Sequence, residues 1–325
     1  MKLLFVILAH DRPEEVVALA AALTEGGSDA RALIHFDARA EASSWARLQA
    51  EAAGAVRVDL VEDRVATPWG EWGLVQAPLN ALAQARRFDD GWRPDRALLL
   101  SGACLPCRPV KTLERFFAEA PEQEFIEVAP PTWIQGGLRE ERYEHWFPFN
   151  KQTQHVIHHN FNKLQRLLGI RRQVPEGLTP RFGSQWWALS WATCEALLDH
   201  AQAHPDHMRW FRWCWIPDEM AIQTLVGRHV PRRRIAGRNL THFRFTDHGK
   251  PVVYHDDHID YIRGLDAFLF RKAHPEAQGL RAACLELARA PDDGRAVLRD
   301  DRAELDYRLR ARALSAYPGP GQPFH

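Results

Sequence analysis

Two acids stand where a helix should begin. Pro217-Asp218-Glu219 precede an apolar-periodic segment, Met220 to Val226, and a proline followed by acids is a helix-start signal. Six tryptophans crowd the same region: Trp186, Trp187, Trp191, Trp210, Trp213 and Trp215. A positioned carboxylate can take the proton of a hydroxyl, and aromatic faces suit the apolar side of a sugar ring. The pattern also has a structural use. Acids in a first turn favour the helix dipole, and tryptophan is a large core residue. By its position Asp218 reads as the helix cap.

The surrounding chain supplies the elements that must hold these groups. Leu3–Ala9, Ala32–Phe36, Val56–Val61, Arg96–Leu100 and Glu124–Val128 read as strands. Pro13–Leu23, Ser43–Ala53, Trp72–Arg87 and Val110–Ala118 read as helices between them. This alternation predicts βαβ units and a mostly parallel sheet, whose ligands bind beyond the carboxyl ends of the strands. His10-Asp11, Asp37, Trp69-Gly70 and Ser101 to Pro106 fall at such ends. No G-x-G-x-x-G and no P-loop occurs. Residues 130–180 are polar, aromatic and loop-rich, a fitting place for a specificity insertion, and their histidines His155, His158 and His159 receive no role. Further on, Trp186–Leu189 reads as a buried strand and Thr193–Ala203 as a helix. Asn239–Phe245 reads as a strand, His248 to Pro251 as a turn, Asp257–Phe270 as a helix, and the charged stretch from His274 as helical.

Composition narrows the class. The chain of 325 residues carries 42 Lys+Arg and 42 Asp+Glu, so no net charge points to nucleic acid; the Arg232-Arg233-Arg234 triplet reads as a solvated loop. Five widely spaced cysteines fit a reducing cytoplasm, and Cys104-x-x-Cys107 lacks a second pair for zinc. The apolar run Leu3–Ala9 ends in His10-Asp11-Arg12-Pro13 without a cleavage site, and reads as a first strand. No run approaches the ~18 apolar residues of a membrane span. These features lead to an expectation of a cytoplasmic protein, with peripheral membrane association left open; that it is bacterial is an expectation from the family resemblance given next.

Several spaced features together resemble glycosyltransferase family fourteen, which includes the core-2/I-branching β-1,6-N-acetylglucosaminyltransferases and the peptide O-xylosyltransferases. They are Val6 to His10, Ile34-His35-Phe36-Asp37, Trp69-Gly70 with the helix around Leu79-Asn80, and Leu99 to Pro106. Gly183-Ser184-Gln185-Trp186, Pro217-Asp218-Glu219 and Phe268-x-x-Arg271-Lys272 follow in the family's order. The resemblance implies a GT-A type, Rossmann-like α/β fold: a mostly parallel sheet flanked by helices, with a helical C-terminal extension. The transferase domain would be 1–273, divided into a nucleotide-binding half, 1–128, and an acceptor and catalytic half, 129–273. Residues 274–325 would form the extension.

The activity implied is inverting, metal-independent transfer of N-acetylglucosamine or xylose from a UDP-sugar to a glycan hydroxyl, with no metal and no cofactor besides the donor. Glu219 matches the family's general base. The donor side would comprise His10, Asp37, Arg64, Trp69, Ser101, Cys104, Lys250, Arg271 and Lys272. The three C-terminal cations would stand in for a metal at the leaving diphosphate, although Arg271 and Lys272 also suit a helix C-terminus. Glu127, Arg139, Glu141, Trp186 and Trp187 would meet the acceptor. Arg139 to Tyr143 reads equally as a salt-bridged helix start, and one of the two tryptophans must turn inward as core. At Cys104 the family usually has an acid, which implies either a changed pocket or a structural replacement. Two other classes stay open: a non-catalytic carbohydrate-binding protein, and a metal-dependent enzyme built on His255, Asp256, Asp257, His258 and Asp260.

Overall fold

Leu3 to Ile7 are completely shielded from solvent, as a continuous apolar run must be in the middle of a parallel sheet covered on both faces. They belong to β1 (Lys2–Ala9) of a computed structural model that describes residues 1–134, 138–246 and 250–295. The chain continues through α1 (Pro13–Gly26), β2 (Asp29–Phe36), α2 (Ala42–Ala53), β3 (Val58–Leu60), α3 (Gly73–Arg86), β4 (Arg96–Ser101), β5 (Leu105–Pro106) and α4 (Val110–Glu119). Then come α5 (Glu141–Glu144), α6 (His155–Leu167), β6 (Ala188–Ser190), α7 (Trp191–Ala203), α8 (Pro205–Arg212) and α9 (Ala221–His229). β7 (Thr241–His242), α10 (Ile259–Arg263), β8 (Leu269–Phe270) and α11 (Gln278–Arg289) close the described part.

The main sheet has the order β3-β2-β1-β4-β6, parallel except for β6, which runs antiparallel along β4. It is the α/β architecture expected: a mostly parallel sheet flanked by helices. Strand order reverses beside β1, so the loops after β1, β2 and β4 open on a switch point, where such sheets bind ligands. A second sheet, β5-β8-β7, is small and mixed.

Four expected elements differ. Glu124–Val128 is not a strand: its neighbours change residue by residue, with Glu124 bridging Ile235, Phe125 bridging Ala188 and Ala129 bridging Phe182. The buried Glu124 carboxylate instead accepts from Ser190 N, Ser190 Oγ and Thr193 Oγ1, fixing the start of α7. The 239–245 strand shrinks to β7. The 257–270 helix is a 3-10 turn, Asp256–His258, and then α10, which stops before Gly264; beyond it the buried run Phe268–Phe270 is extended, with Leu269–Phe270 pairing as β8. Within 130–180, α6 forms where loop was expected.

Residues 274–295 do not stand apart from the domain. Leu280, Cys284 and Ala288 of α11 are buried, Arg281 pairs with Glu15 of α1 at 2.8 Å, and Arg289 pairs with Glu25. Residues 296–325 and the His248-Gly249 turn lie outside the described residues. All five cysteines are free and buried.

Candidate active site

β2 ends in two polar residues that hold the next loop. His35 is fully buried, and burial pushes its pKa down to about 4, so its Nε2 accepts from Val65 N at 3.0 Å. Asp37 accepts from Thr67 N (3.2 Å), Thr67 Oγ1 (2.8 Å), Arg39 N (2.8 Å) and the Arg39 guanidinium (2.8 Å). Burial works against its charge, but these bonds outweigh it and keep the carboxyl below the usual range. Both Asp37 oxygens are therefore occupied by the chain itself. The Arg64 guanidinium carbon lies over Trp45, 3.7 Å from the ring centroid, and its buried Nη1 has no partner among the described residues.

The loop so held forms one wall of a cavity of about 510 Å³. Val65, Trp69, Trp72 and Gln76 line that wall; Phe147, Phe149, Asn150, Lys151, Trp213 and Trp215 line the opposite one. Asn150 Nδ2 donates to Glu71 and joins the two. At Gly73 a Cβ would fall 1.8 Å from Ala66 O, so α3 can start against the loop only with glycine. From Trp72 Nε1 a hydrogen-bond chain runs through Gln76 (3.1 Å) and Asn80 (2.7 Å) to Asp63 O (2.8 Å). This ties the start of α3 to the Asp63 end of the loop.

Glu219 lies beside this cavity. Ile216 takes a left-handed conformation (φ 53°, ψ 61°), after which Pro217–Glu219 make a 3-10 turn; α9 begins only past Met220. The acids are therefore not in an α-helical first turn, contrary to expectation. Gly183 N donates to Glu219 O (3.1 Å), Ser184 N to Glu127 Oε2 (2.8 Å), and Gln223 Nε2 to Ser184 O (2.8 Å). A Cβ at Gly183 would sit 2.3 Å from Glu127 O, so only glycine lets these segments meet. Arg142 Nη1 binds Glu219 Oε2 at 2.7 Å, and its guanidinium lies 5.3 Å from the Trp215 ring of the cavity wall. Glu219 is about one-third exposed, and its Oε1 has no hydrogen bond among the described residues.

Asp218 is no cap, for Ile216 precedes the 3-10 turn and Met220 precedes α9. It is buried, its Oδ1 has no hydrogen-bond partner among the described residues, and burial, then the neighbouring Glu219 charge, push its pKa up to about 7. Trp186 and Trp187 are both buried, so neither is left as an open wall. Arg271 lies 4.6 Å from the Trp186 ring and keeps a buried Nε without a partner among the described residues. Cys104 is fully buried, its sulfur 3.3 Å from Ser101 N and from Ser101 Oγ; it fills core and offers a donor nothing. His10 and Lys250 are exposed, and Lys272 is partly buried. Trp69 is the one expected donor residue that lines the cavity. Glu127 is buried at the Gly183-Ser184 turn; Arg139 Nε donates to Ile134 O (3.1 Å), and Glu141 pairs with Arg166 (2.6 Å).

The residues missed are Arg142 and the 147–151 wall, whereas Trp215 belongs to the tryptophan cluster already noted. Arg142 stood inside the Arg139–Tyr143 run already singled out, and its place one helical turn from Leu138 gave no hint of Glu219. In the rival metal region, Asp256 Oδ1 accepts from Leu280 N (2.7 Å) and His258 Nδ1 from His255 N (3.0 Å), closing turns. Among the described residues no group of three His, Cys, Asp or Glu side chains is placed to hold a metal ion.

The profile of the family described as "Branch: Core-2/I-Branching enzyme" matches residues 4–266. The chain belongs to that family of glycosyltransferases. It is similar to a xylosyltransferase of Ciona intestinalis, 26% identical over 164 residues, which are 50% of this chain but only 18% of that relative's length. A crystal structure of the galactosyltransferase LgtC with donor and acceptor sugar analogs aligns at 8% identity and TM-score 0.38, over 94% of this chain and 100% of the other. An active-site mutant of LgtC aligns at 10% identity and TM-score 0.33, over 99% and 98%. Likenesses this distant do not bear on mechanism.

Proposed function

We propose that the protein transfers a sugar, N-acetylglucosamine or xylose, from a UDP-sugar to a hydroxyl of a glycan, with inversion and without a metal ion, and that Glu219 is the general base. One observation carries this reading: Glu219 has one oxygen fixed by Arg142 and the other bare, next to an aromatic-walled cavity. An acceptor hydroxyl must lose its proton as it attacks the anomeric carbon, and a carboxylate held in place is suited to receive it. The tryptophans and phenylalanines of the cavity suit a sugar's apolar face. Family membership supports the reaction class. Charge on the departing diphosphate falls to Lys250, Arg271 and Lys272; the unpartnered Nε of Arg271 is a donor in need of an acceptor.

The test is transfer by the purified chain, with UDP-N-acetylglucosamine and UDP-xylose as donors and a panel of glycan acceptors. Product from either donor, lost in Glu219→Gln while UDP still binds, supports the reading. Equal transfer by the variant removes the base assignment. UDP-sugar binding without any transfer would favour a non-catalytic binding protein.

A further inference from the structure

α6 is attached to the protein by its polar side. His158 Nδ1 meets Phe149 O at 2.9 Å, and Asn162 Oδ1 meets His145 Nδ1 at 2.8 Å. Gln165 accepts from Trp146 N (2.8 Å) and donates to Trp146 O (3.0 Å). Its apolar side chains point the other way. Val156, Ile157, Leu164, Leu167, Leu168 and, just past the helix, Ile170 are 41–82% exposed. A helix on a globular protein normally faces inward with this stripe; here the arrangement is reversed. On the α6 wheel of 100° per residue, the exposed apolar arc is flanked by a second arc holding His155, His159, Lys163 and Arg166.

Charge is as one-sided as polarity. From His145 to Pro175 there is no Asp or Glu, while Lys151, Lys163, Arg166, Arg171 and Arg172 fall inside, in a chain balanced as a whole at 42 to 42. Arg166 and Arg171 pair with Glu141 and Glu144 from outside the stretch, and Lys163 has no ion-pair partner among the described residues. An apolar arc bordered by cations fits the interface of an anionic bilayer, where the apolar side chains enter the acyl boundary and the cations meet headgroup phosphates. Thirteen residues make a helix of roughly 20 Å, too short to span and of a length to lie in the plane.

We infer that α6 and the Leu168–Ile170 turn dock the protein on a membrane surface rich in anionic lipid. Gln154, the residue before α6, and Asn150 and Lys151 all line the cavity. Docking therefore sets the cavity at headgroup level, where a glycan acceptor carried on a lipid would be presented. Membrane binding is read without substrate, so it stands or falls apart from the transferase reading.

The experiment is co-sedimentation of the full chain with vesicles of phosphatidylcholine alone or mixed with phosphatidylglycerol. Binding should require the anionic lipid and weaken in 0.5 M salt. The double variant Leu164→Gln/Leu167→Gln should bind more than about tenfold less, and Lys163→Ala about fivefold less. Both variants should keep the wild-type melting temperature, since these side chains face solvent. Failure of the wild type to bind anionic vesicles overturns the inference, as does equal binding by the double variant. A wild-type dimer in sedimentation velocity that the leucine changes convert to monomer would also overturn it, and would make this face a contact between two copies.

Discussion

Arg142 binds one oxygen of Glu219 and leaves the other without a hydrogen bond among the described residues, an arrangement that anchors the carboxylate by one side. A base in hydrogen-bond reach contributes about 10²–10⁴-fold, so Glu219→Gln should lower kcat by that factor with donor affinity nearly unchanged, measured by initial rates and UDP titration. Asp218 behaves in the opposite way to a cap. Its pKa, raised to about 7 by burial and then by the Glu219 charge, means that the folded chain keeps a proton the unfolded chain releases near pH 4. Stability therefore falls as pH rises from about 4 to 7. Asp218→Asn should remove that slope. Its melting temperature should exceed the wild type's at pH 8, by a free energy on the order of 1 kcal/mol, and the gap should close toward pH 4. A variant that melts lower at pH 8 would show that the carboxylate has a partner the structure lacks. Glu219 was legible because an acid after Pro217 stands out in a tryptophan-rich stretch. Asp218 was misread because a helix start and a buried 3-10 turn share the same Pro-acid-acid signature.

Between residue and fold, the segment that matters most is the 65–73 loop. His35 and Asp37 grip it from the end of β2, and Gly73 lets α3 close against it. Asp37 was expected to serve a nucleotide with no cost to the fold; its five hydrogen bonds to Arg39 and Thr67 make it a clamp as well. Asp37→Asn should cost about 2 kcal/mol in chemical denaturation at pH 7, the scale of charged hydrogen bonds lost. It should also weaken UDP binding through a loosened loop. Because the folded pKa is depressed, this stability is complete above about pH 4 and is lost as pH falls below it, so wild type and variant should converge in acid. The cavity's far wall was not legible. Phe147 to Lys151 make no periodic pattern, and α6 hides among polar residues because its inward side is the polar one.

At the scale of the whole molecule, sequence periodicity carried the parallel half well. β1 and β4 are built on the apolar runs Leu3–Ala9 and Ala97–Leu100, β2 on the shorter Ala32–Ile34, with helices between them, and Pro78 sits inside α3. It carried the second half poorly, because β5, β7 and β8 are two-residue strands set by contacts distant in sequence. The C-terminal segment was legible as helix through α11 but not as a partner of α1, since that packing depends on Gly26 meeting Ala288. With Lys250, Arg271 and Lys272 proposed for the diphosphate, turnover should survive excess EDTA. A loss of turnover that manganese restores would return Asp37 or the Asp256-Asp257 pair to a metal-ligating role.

Ile216 joins these scales. A β-branched residue with φ 53° departs from what its side chain prefers, at a cost of order 1–2 kcal/mol, yet its buried side chain packs toward Gly70 on the cavity wall. Glycine there would relax the backbone and empty that contact, leaving the turn that aims Glu219 free to wander. With Glu219 as the proposed base, selection for sturdiness and selection for turnover pull in opposite directions at this position. A lineage drifting toward greater heat tolerance would have to find its gains elsewhere in the chain.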